Sequence, residues 1–392
     1  MKLDFIEKLL DGVEVEWKTL DEVGIVSGAG VDKKNNYDEK KIKLLNYVDV
    51  YHNRYLDKEI PSMYVTATDK KIEQCNVLKG DIFFTPSSEV LNDIGNSAVV
   101  IENMEGVVYS YHIMRLRLNN PDIVMSMFIS YILGSDFVQN QINKRAKGIT
   151  RFGLTKTQWE KLLIPIPPLK VQEEIVRILD TFTELTTELT TELTARKKQY
   201  TYYRDQLLTF EEGEVEWKVL GEVCSISVGK SPKDTGTGEY SFINAGTTPS
   251  GYLSNFNTEP DTITTPSRGQ GGIGFVGYQS RYFWCGPLCY RIRGTNKNVM
   301  TRFIYYVMSN SMADIIGLAN MTGIPALNKK ELAGFKVPIP PLSEQKRIVS
   351  ILDKFDALTS SITEGLPREI ELRQKQYEYY RNILLSFPKE GV

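Results

Sequence analysis

The feature that most restricts this chain is that it states nearly everything about itself twice, in the same order. Ile164-Pro-Ile-Pro-Pro-Leu169 returns as Val337-Pro-Ile-Pro-Pro-Leu342, and Ile175-Val-Arg-Ile-Leu-Asp180 as Ile348-Val-Ser-Ile-Leu-Asp353, both 173 residues on. Arg196-Lys-Lys-Gln-Tyr-Thr-Tyr-Tyr-Arg204 returns as Arg373-Gln-Lys-Gln-Tyr-Glu-Tyr-Tyr-Arg381, 177 residues on, so the second copy carries four more residues between its matching ends. Upstream of each helix block, Glu14-Val-Glu-Trp-Lys18 matches Glu214-Val-Glu-Trp-Lys218. Asp81-Ile-Phe-Phe-Thr-Pro-Ser87 matches Asp261-Thr-Ile-Thr-Thr-Pro-Ser267, Arg115-Leu-Arg117 matches Arg291-Ile-Arg293, and Phe128-Ile-Ser-Tyr131 matches Phe303-Ile-Tyr-Tyr306. A repeat on this scale predicts two copies of one fold, each followed by a long helix.

The first helix is predicted over residues 169–210. Val171, Ile175, Ile178, Phe182, Leu185 and Leu189 alternate spacings of four and three, the seam of a coiled coil. Leu193 then follows Leu189 after four residues where the heptad calls for three, and Tyr200, Tyr203, Leu207 and Phe210 continue in the shifted phase. The slip coincides with three copies of Thr-Glu-Leu-Thr at 183–186, 187–190 and 191–194, a four-residue stutter. These copies read as a spacer of adjustable length. The alternative is a tolerant piece of helix with Glu184, Glu188, Glu192 and Arg196 as a solvated stripe. In the second helix Gly365-Leu-Pro367 stands where the first has its spacer, and predicts a kink or a break.

The prolines after each domain predict that a sheet ends and a helix begins there, because proline cannot continue a strand ladder but wastes no donor at a helix start. The expected boundaries are a first domain at 1–163, a central helix at 164–211, a second domain at 212–336 and a C-terminal helix at 337–392. The two domains are expected to superpose over 12–163 and 213–336. Runs such as Ile42-Lys-Leu-Leu45, Ile82-Phe-Phe84, Ala98-Val-Val-Ile101 and the alternation in 112–118 predict strands, and 123–142 and 302–318 predict helices. The fold class is α/β (α+β): two domains of one fold joined by two long antiparallel helices. The first domain is longer, with most of its excess in 57–80. The C-terminal Glu390-Gly-Val392 leads almost in phase into Glu14, so the repeat is circular. Pseudo-twofold symmetry with neighbouring termini follows from that.

At 41% hydrophobic and 24% charged residues the composition is that of a globular protein. No apolar run is long enough for a membrane span and the N-terminus does not pattern as a signal peptide, which points to the cytoplasm. A net charge of −2 requires any nucleic-acid surface to be local. Cys285 and Cys289 form the one close cysteine pair, without a second pair at metal-ligand spacing, so no metal site is expected.

Motifs of catalysis fail on inspection. Gly269-Gln-Gly-Gly-Ile-Gly274 fits a dinucleotide fingerprint by letter, but strand-like Phe275-Val-Gly-Tyr278 follows where a helix is required, which predicts a hairpin loop. Gly229-Lys230-Ser231 lacks the earlier glycine of a phosphate loop, Cys224 standing in its place. The diprolines are flanked by Ile166 and Leu169, or Ile339 and Leu342, which can neither bind an amino group nor stack on a base as the motif of amino-methyltransferases does. DNA contact calls instead for polar and basic loop side chains near strand ends. The candidates are Lys230, Ser231, Lys233, Asn244, Ser267, Arg268 and Gln270 in the second domain. Their counterparts in the first are Lys33, Lys34, Asn35, Asn46, Ser87 and Ser88.

With these residues in place, the whole chain resembles the specificity (S) subunits of type I restriction-modification systems. The repeated Ile-Pro-Ile-Pro-Pro-Leu, the following Gln172-Glu-Glu-Ile-Val-Arg-Ile-Leu-Asp180 and Glu344-Gln-Lys-Arg-Ile-Val-Ser-Ile-Leu-Asp353, the Tyr-Tyr-Arg helix ends and Glu-Val-Glu-Trp carry the resemblance, and the Thr-Glu-Leu-Thr array looks like the central repeat of the IC group. The resemblance implies two target-recognition domains, each reading half of a split asymmetric site in double-stranded DNA. It also implies docking of two methyltransferase (M) subunits, which bring S-adenosylmethionine, and of restriction (R) subunits, with ATP and Mg in the partners and no cofactor in this chain. Val176, Lys197, Lys198, Tyr202, Leu208, Lys375 and Arg381, off the seam, are the expected M-subunit dock; the alternative is that they only cover the bases of the domains. A coiled-coil scaffold whose globular domains bind protein is the alternative, and binding to duplex DNA that weakens steeply with salt separates the two. A third reading, an enzyme, would require methyl transfer by the chain alone.

Overall fold

A computed structural model of the chain describes residues 9–32, 38–211, 213–233, 237–361 and 364–387. It resolves into two compact units, whose boundaries fall inside both long helical segments. One comprises residues 1–188 and 371–392; the other comprises 189–370. Each unit therefore owns one globular domain, one half of the central helix Leu169–Leu208 and one part of the C-terminal pair Leu342–Ser360 and Gly365–Leu384.

Each domain begins by pairing its two most recognisable motifs with each other. Glu16–Thr19 runs antiparallel to Leu163–Ile166, with Trp17 opposite Pro165 and Lys18 opposite Ile164. Glu216–Val219 does the same with Lys336–Ile339, Trp217 opposite Pro338 and Lys218 opposite Val337. The ladder thus runs through Pro165 and Pro338, contrary to the expectation that the first proline ends it. In a two-stranded pair every second N–H points away from the partner, so an edge proline loses no bond. The helices start where expected: Val171 and Gln172 donate their N–H groups to the carbonyl of Pro168, and Glu344 and Gln345 theirs to that of Pro341.

The first domain has three layers. A five-stranded sheet runs in the order Gly24–Ser27, Met114–Leu118, Ile82–Phe84, Ser97–Val100, Tyr55–Leu56. One face lies under Ser126–Leu133 and Asp136–Arg145, sharing a core with Ile82, Phe84, Val99 and Leu116. The other face, through Phe83, Ala98 and Val100, packs with a four-stranded sheet ordered Met63–Ala67, Lys40–Leu45, Met104–Tyr109, Asn76–Val77. Ile82, Phe83 and Phe84 are all fully buried, as a central strand covered on both sides must be. The second domain repeats the scheme with a four-stranded sheet, Cys224–Val228, Cys289–Gly294, Thr262–Pro266, Gly277–Gln279, and a three-stranded one, Gly251–Leu253, Tyr240–Ile243, Trp284–Cys285. In both small sheets the central strand has one antiparallel neighbour and one parallel neighbour, a pairing that identifies the two domains as one fold.

Two predicted helices are each broken in two. Residues 126–145 are interrupted at Gly134 and Ser135, whose hydroxyl caps the next helix by accepting from the Val138 N–H at 3.4 Å. Thr301–Asn310 and Met312–Gly317 are separated at Ser311. The glycine-rich 269–274 stretch joins the antiparallel strands Thr262–Pro266 and Gly277–Gln279, as the hairpin reading requires. The C-terminal helix breaks before Gly365, whose φ of +77° and whose contact with the Ala357 carbonyl, 2.3 Å from an added Cβ, exclude other residues.

The circular arrangement appears in reciprocal ring contacts. Phe182, early in the central helix, stacks on Tyr380, late in the C-terminal pair, at 5.4 Å. Phe355, early in that pair, stacks on Tyr203, late in the central helix, at 5.9 Å. The start of each helix meets the end of the other, as antiparallel helices must.

Candidate nucleic-acid interface

Each domain is pinned to its helix by the same glutamine. Gln172 is fully buried, accepts from the Met125 N–H at 2.9 Å, and donates to the carbonyls of Ile123 and Pro167. Gln345, also fully buried, accepts from Met300 N–H at 2.9 Å and donates to Asn298 and Pro340. A second tie is a helix aspartate bonded to a domain tyrosine, Asp180 to Tyr131 at 2.7 Å and Asp353 to Tyr306 at 2.5 Å. Burial first, and the carboxylate second, push the Tyr131 and Tyr306 hydroxyls well above the ordinary phenol range. These ties hold one side of each domain and leave the loops elsewhere for recognition.

In the first domain those loops gather around the Thr-Pro-Ser segment. Ser87–Ser88 pairs antiparallel with Phe152–Gly153, and the Arg151 guanidinium donates to the Ser87 hydroxyl at 3.0 Å. Beside them a cleft of about 440 Å³ is lined by Tyr47, Tyr51, Ser88, Asp93, His112 and Arg151, among others. Tyr51 donates to Asp93 at 3.1 Å and lies parallel to Tyr47 at 5.9 Å. Stacked rings, an arginine, an imidazole and hydroxyls are groups that touch bases and phosphates. Sequence reasoning missed Tyr47, Tyr51, His112 and Arg151. The signal for Arg151 was the Leu154-Thr-Lys156 and Leu327-Asn-Lys329 match that follows its loop in both halves.

In the second domain the candidates converge on the 286–288 turn. Asn244 accepts from the Leu288 N–H at 2.9 Å, and Leu288 in turn accepts from the Ser267 N–H at 2.8 Å. The Lys230 carbonyl accepts from the Trp284 indole at 2.7 Å, and its N–H donates to Cys285. Arg268 forms a bridge with Ala326, on the loop equivalent to that of Arg151. Lys230, Ser231, Lys233, Arg268 and Gln270 all present exposed side chains.

Four candidates have structural work instead. Asn46 is buried and caps the helix Tyr47–His52, its side-chain oxygen accepting from Val48 and Asp49. Ser88 is buried and accepts from the Val90 N–H. Asn244 holds the turn just described, and Ser267 is buried beneath Leu327, whose N–H its carbonyl accepts. Polar residues near strand ends serve turns as readily as ligands, and sequence does not separate the two uses. Lys33, Lys34 and Asn35 lie outside the described residues.

Two of the docking candidates are corrected likewise. Val176 lies in the first hydrophobic core and Leu208 in the second, because the helix is covered by its domain as well as by its partner helix, so its apolar stripe is wider than a coiled-coil seam. Lys197, Lys198 and Tyr202 are exposed. Lys375 pairs with Glu371 at 2.5 Å, and half-buried Arg381 lies over the Tyr377 ring.

Two domains of one fold, each clamped to antiparallel helices and each turning polar loops outward, define a duplicated recognition protein. The family model for the type I restriction modification DNA specificity domain matches residues 12–197 and again residues 212–372, and the chain belongs to that family. It is 34% identical to the type I restriction enzyme EcoR124I/EcoR124II specificity subunit of Escherichia coli, over 99% of this chain and 98% of that one. It is 30% identical to the EcoprrI specificity subunit, also of Escherichia coli, over 93% of both. Its fold matches that of a type I restriction-modification S subunit from M. genitalium with a TM-score of 0.65 at 18% identity, over 99% of both chains.

Proposed function

We propose that this chain is the DNA sequence-recognition subunit of a type I restriction-modification complex, in which each domain reads one half of a bipartite, asymmetric site in double-stranded DNA. The observation that carries the reading is the duplication itself: one fold, matched twice by a DNA-specificity family, with the helix-facing contacts repeated and the outward loops different. Two copies reading the same bases would have no reason to keep their helix-facing side alike and diverge on the side away from it.

The chain itself catalyses nothing in this reading. Two methyltransferase subunits supply S-adenosylmethionine and methylate the site, restriction subunits supply ATP- and Mg-dependent translocation and cleavage, and the complex acts in the cytoplasm. Among the described residues no helix is long and apolar enough to cross a membrane. The exposed helix faces bearing Lys197, Lys198 and Tyr202 are the proposed dock for the methyltransferase. Reversing both lysines to Glu should weaken co-purification with that partner and leave the fold intact.

The decisive experiment is a domain exchange. Residues 12–163 are replaced by the equivalent part of a related specificity subunit, the chimera is expressed with its methyltransferase partner, and genomic methylation is sequenced. One half-site should change and the other should not. A change in both, or in neither, counts against independent reading.

A further inference from the structure

The two most exposed large apolar side chains among the described residues are Ile149, at 95% of its full accessibility, and Ile324, at 73%. One exposed isoleucine calls for no explanation. These two, however, occupy the same loop of the two domains. The first loop is closed by mutual backbone hydrogen bonds between Lys147 and Gly153, the second by mutual bonds between Asn320 and Ala326, 173 residues on. Both then run along the Pro-Ser segment: Leu154 N–H donates to the Pro86 carbonyl, and Leu327 N–H to the Ser267 carbonyl. In each, a glycine of positive φ immediately precedes the isoleucine, Gly148 at +152° and Gly323 at +75°. A Cβ on Gly148 would sit 1.8 Å from the Arg151 carbonyl, so the chain can close up behind the tip only with glycine there. The second tip adds Met321, 58% exposed.

Resting on the recognition reading above, we propose that these two loop tips enter the DNA, one per half-site, and that Ile149 and Ile324 make apolar contact with the bases there. Charge selects DNA over a protein surface as the occupant. Lys144, Arg145, Lys147 and Arg151 surround the first tip in sequence without an acidic residue from 142 to 159, and Arg151 is held against Ser87. The second tip is bridged to the segment carrying exposed Arg268 and is followed by Lys329 and Lys330. An apolar point on a basic collar is the chemistry of groove-entering loops: cations fix the phosphates, and the aliphatic group meets a thymine methyl or wedges at a base step. Neither isoleucine supports a core, so each can be changed without touching stability.

The test uses the full chain co-purified with its methyltransferase partner, titrated by fluorescence anisotropy against a duplex bearing the motif found by methylation sequencing and against a scrambled duplex. Ile149→Ser should weaken binding to the motif duplex roughly tenfold, with thermal midpoint and co-purification unchanged, and should relax the methylated motif only in the half read by the first domain. Ile324→Ser should do the same to the other half. Ile149→Lys separates apolar contact from simple charge: it adds a cation and should still weaken the motif duplex, whereas an electrostatic loop would bind more tightly. Unchanged affinity and motif in both serine variants would overturn the proposal. So would loss of the methyltransferase during purification, which would assign the tips to a protein contact. Equal binding of motif and scrambled duplex by the unaltered complex would instead overturn the recognition reading, and the proposal with it.

Discussion

The two domains agree closely where they face the helices and part company on the side away from them. The strand pair at the base, the buried glutamine, the tyrosine-to-aspartate tie and the reciprocal ring stack recur residue for residue. The small sheet does not. In the first domain it shares a core that includes Leu44, Val65, Val77, Met104 and Val108 and is extended by the helix Asp69–Gln74 and the strand Asn76–Val77. In the second the corresponding core is Ile243, Phe283, Cys285 and Cys289. The excess of sequence in 57–80 is thus spent on a layer whose core contains no residue of the two long helices among those described. A frame that must present the same surface to a shared scaffold is held fixed, while the layer away from it is free to change.

The largest effect should come from the frame. Gln345→Ala removes a buried side chain and leaves the Met300 N–H and the carbonyls of Asn298 and Pro340 without their partner, at roughly 1–3 kcal/mol per stranded group. Loss of about 3 kcal/mol or more is expected, read as a fall in denaturation midpoint. Gln172→Ala should cost nearly as much, since its three bonds are the same. A large difference between the two variants would break the equivalence of the halves.

The aspartate tie sharpens the comparison, because its cation differs. Asp180 accepts from two phenols, Tyr131 and Tyr55, and Arg54 lies over the Tyr131 ring at 4.4 Å without an ion pair to that aspartate. Asp353 accepts from Tyr306 and pairs with Arg302 at 2.8 Å, while Arg302 also reaches Asp356 and lies over the rings of Tyr278, Tyr305 and Tyr306. Asp353→Asn should therefore cost about 1–2 kcal/mol, moderated by Asp356 and by the partial exposure of the pair, and that cost should shrink in high salt. Asp180→Asn should cost about 1 kcal/mol, independent of salt. Equal salt dependence in the two would show that Arg54 does the work of Arg302. Both ties also respond to alkali. Their phenols have folded values above the unfolded value near 10, so the stability they contribute is complete below pH 10 and is lost as pH rises beyond it.

The frame was legible in the sequence because it is repeated, and its periodicity and prolines are local signals. The glutamine could be located but not understood, since two of its three partners lie 45–49 residues away. The recognition side was legible only as a set of polar residues. Asn46 and Lys230 look alike in a sequence, yet one caps a helix and the other faces water. Ile149 was invisible, for an exposed isoleucine differs from a buried one only in its neighbours. Val176 failed for the opposite reason: the heptad names the seam to the other helix, while the domain's claim on the adjacent face comes from tertiary packing.

The smallest energetic effect should come from the spacer, where the halves are joined by uninterrupted helix. Glu184 and Glu188 are exposed, and the hydroxyls of Thr183, Thr186, Thr187 and Thr194 turn back to carbonyls four residues earlier, so the array serves its own helix more than any core. Deleting Thr187-Glu-Leu-Thr190 should leave the denaturation midpoint almost unmoved. It removes roughly 6 Å of rise and about 400° of helix, a net turn near 40°, against roughly 3.4 Å and about 34° for one base pair of B-DNA. The rotation corresponds to one pair and the rise to nearly two if helix and DNA axes run parallel; inclination shortens the projected rise, which favours one. Methylation sequencing of the deletion strain should return both half-sites unchanged with the gap between them shorter by one base pair, or at most two. An active complex with the original gap would show that the array is tolerant helix and that the distance between the two readings is set elsewhere.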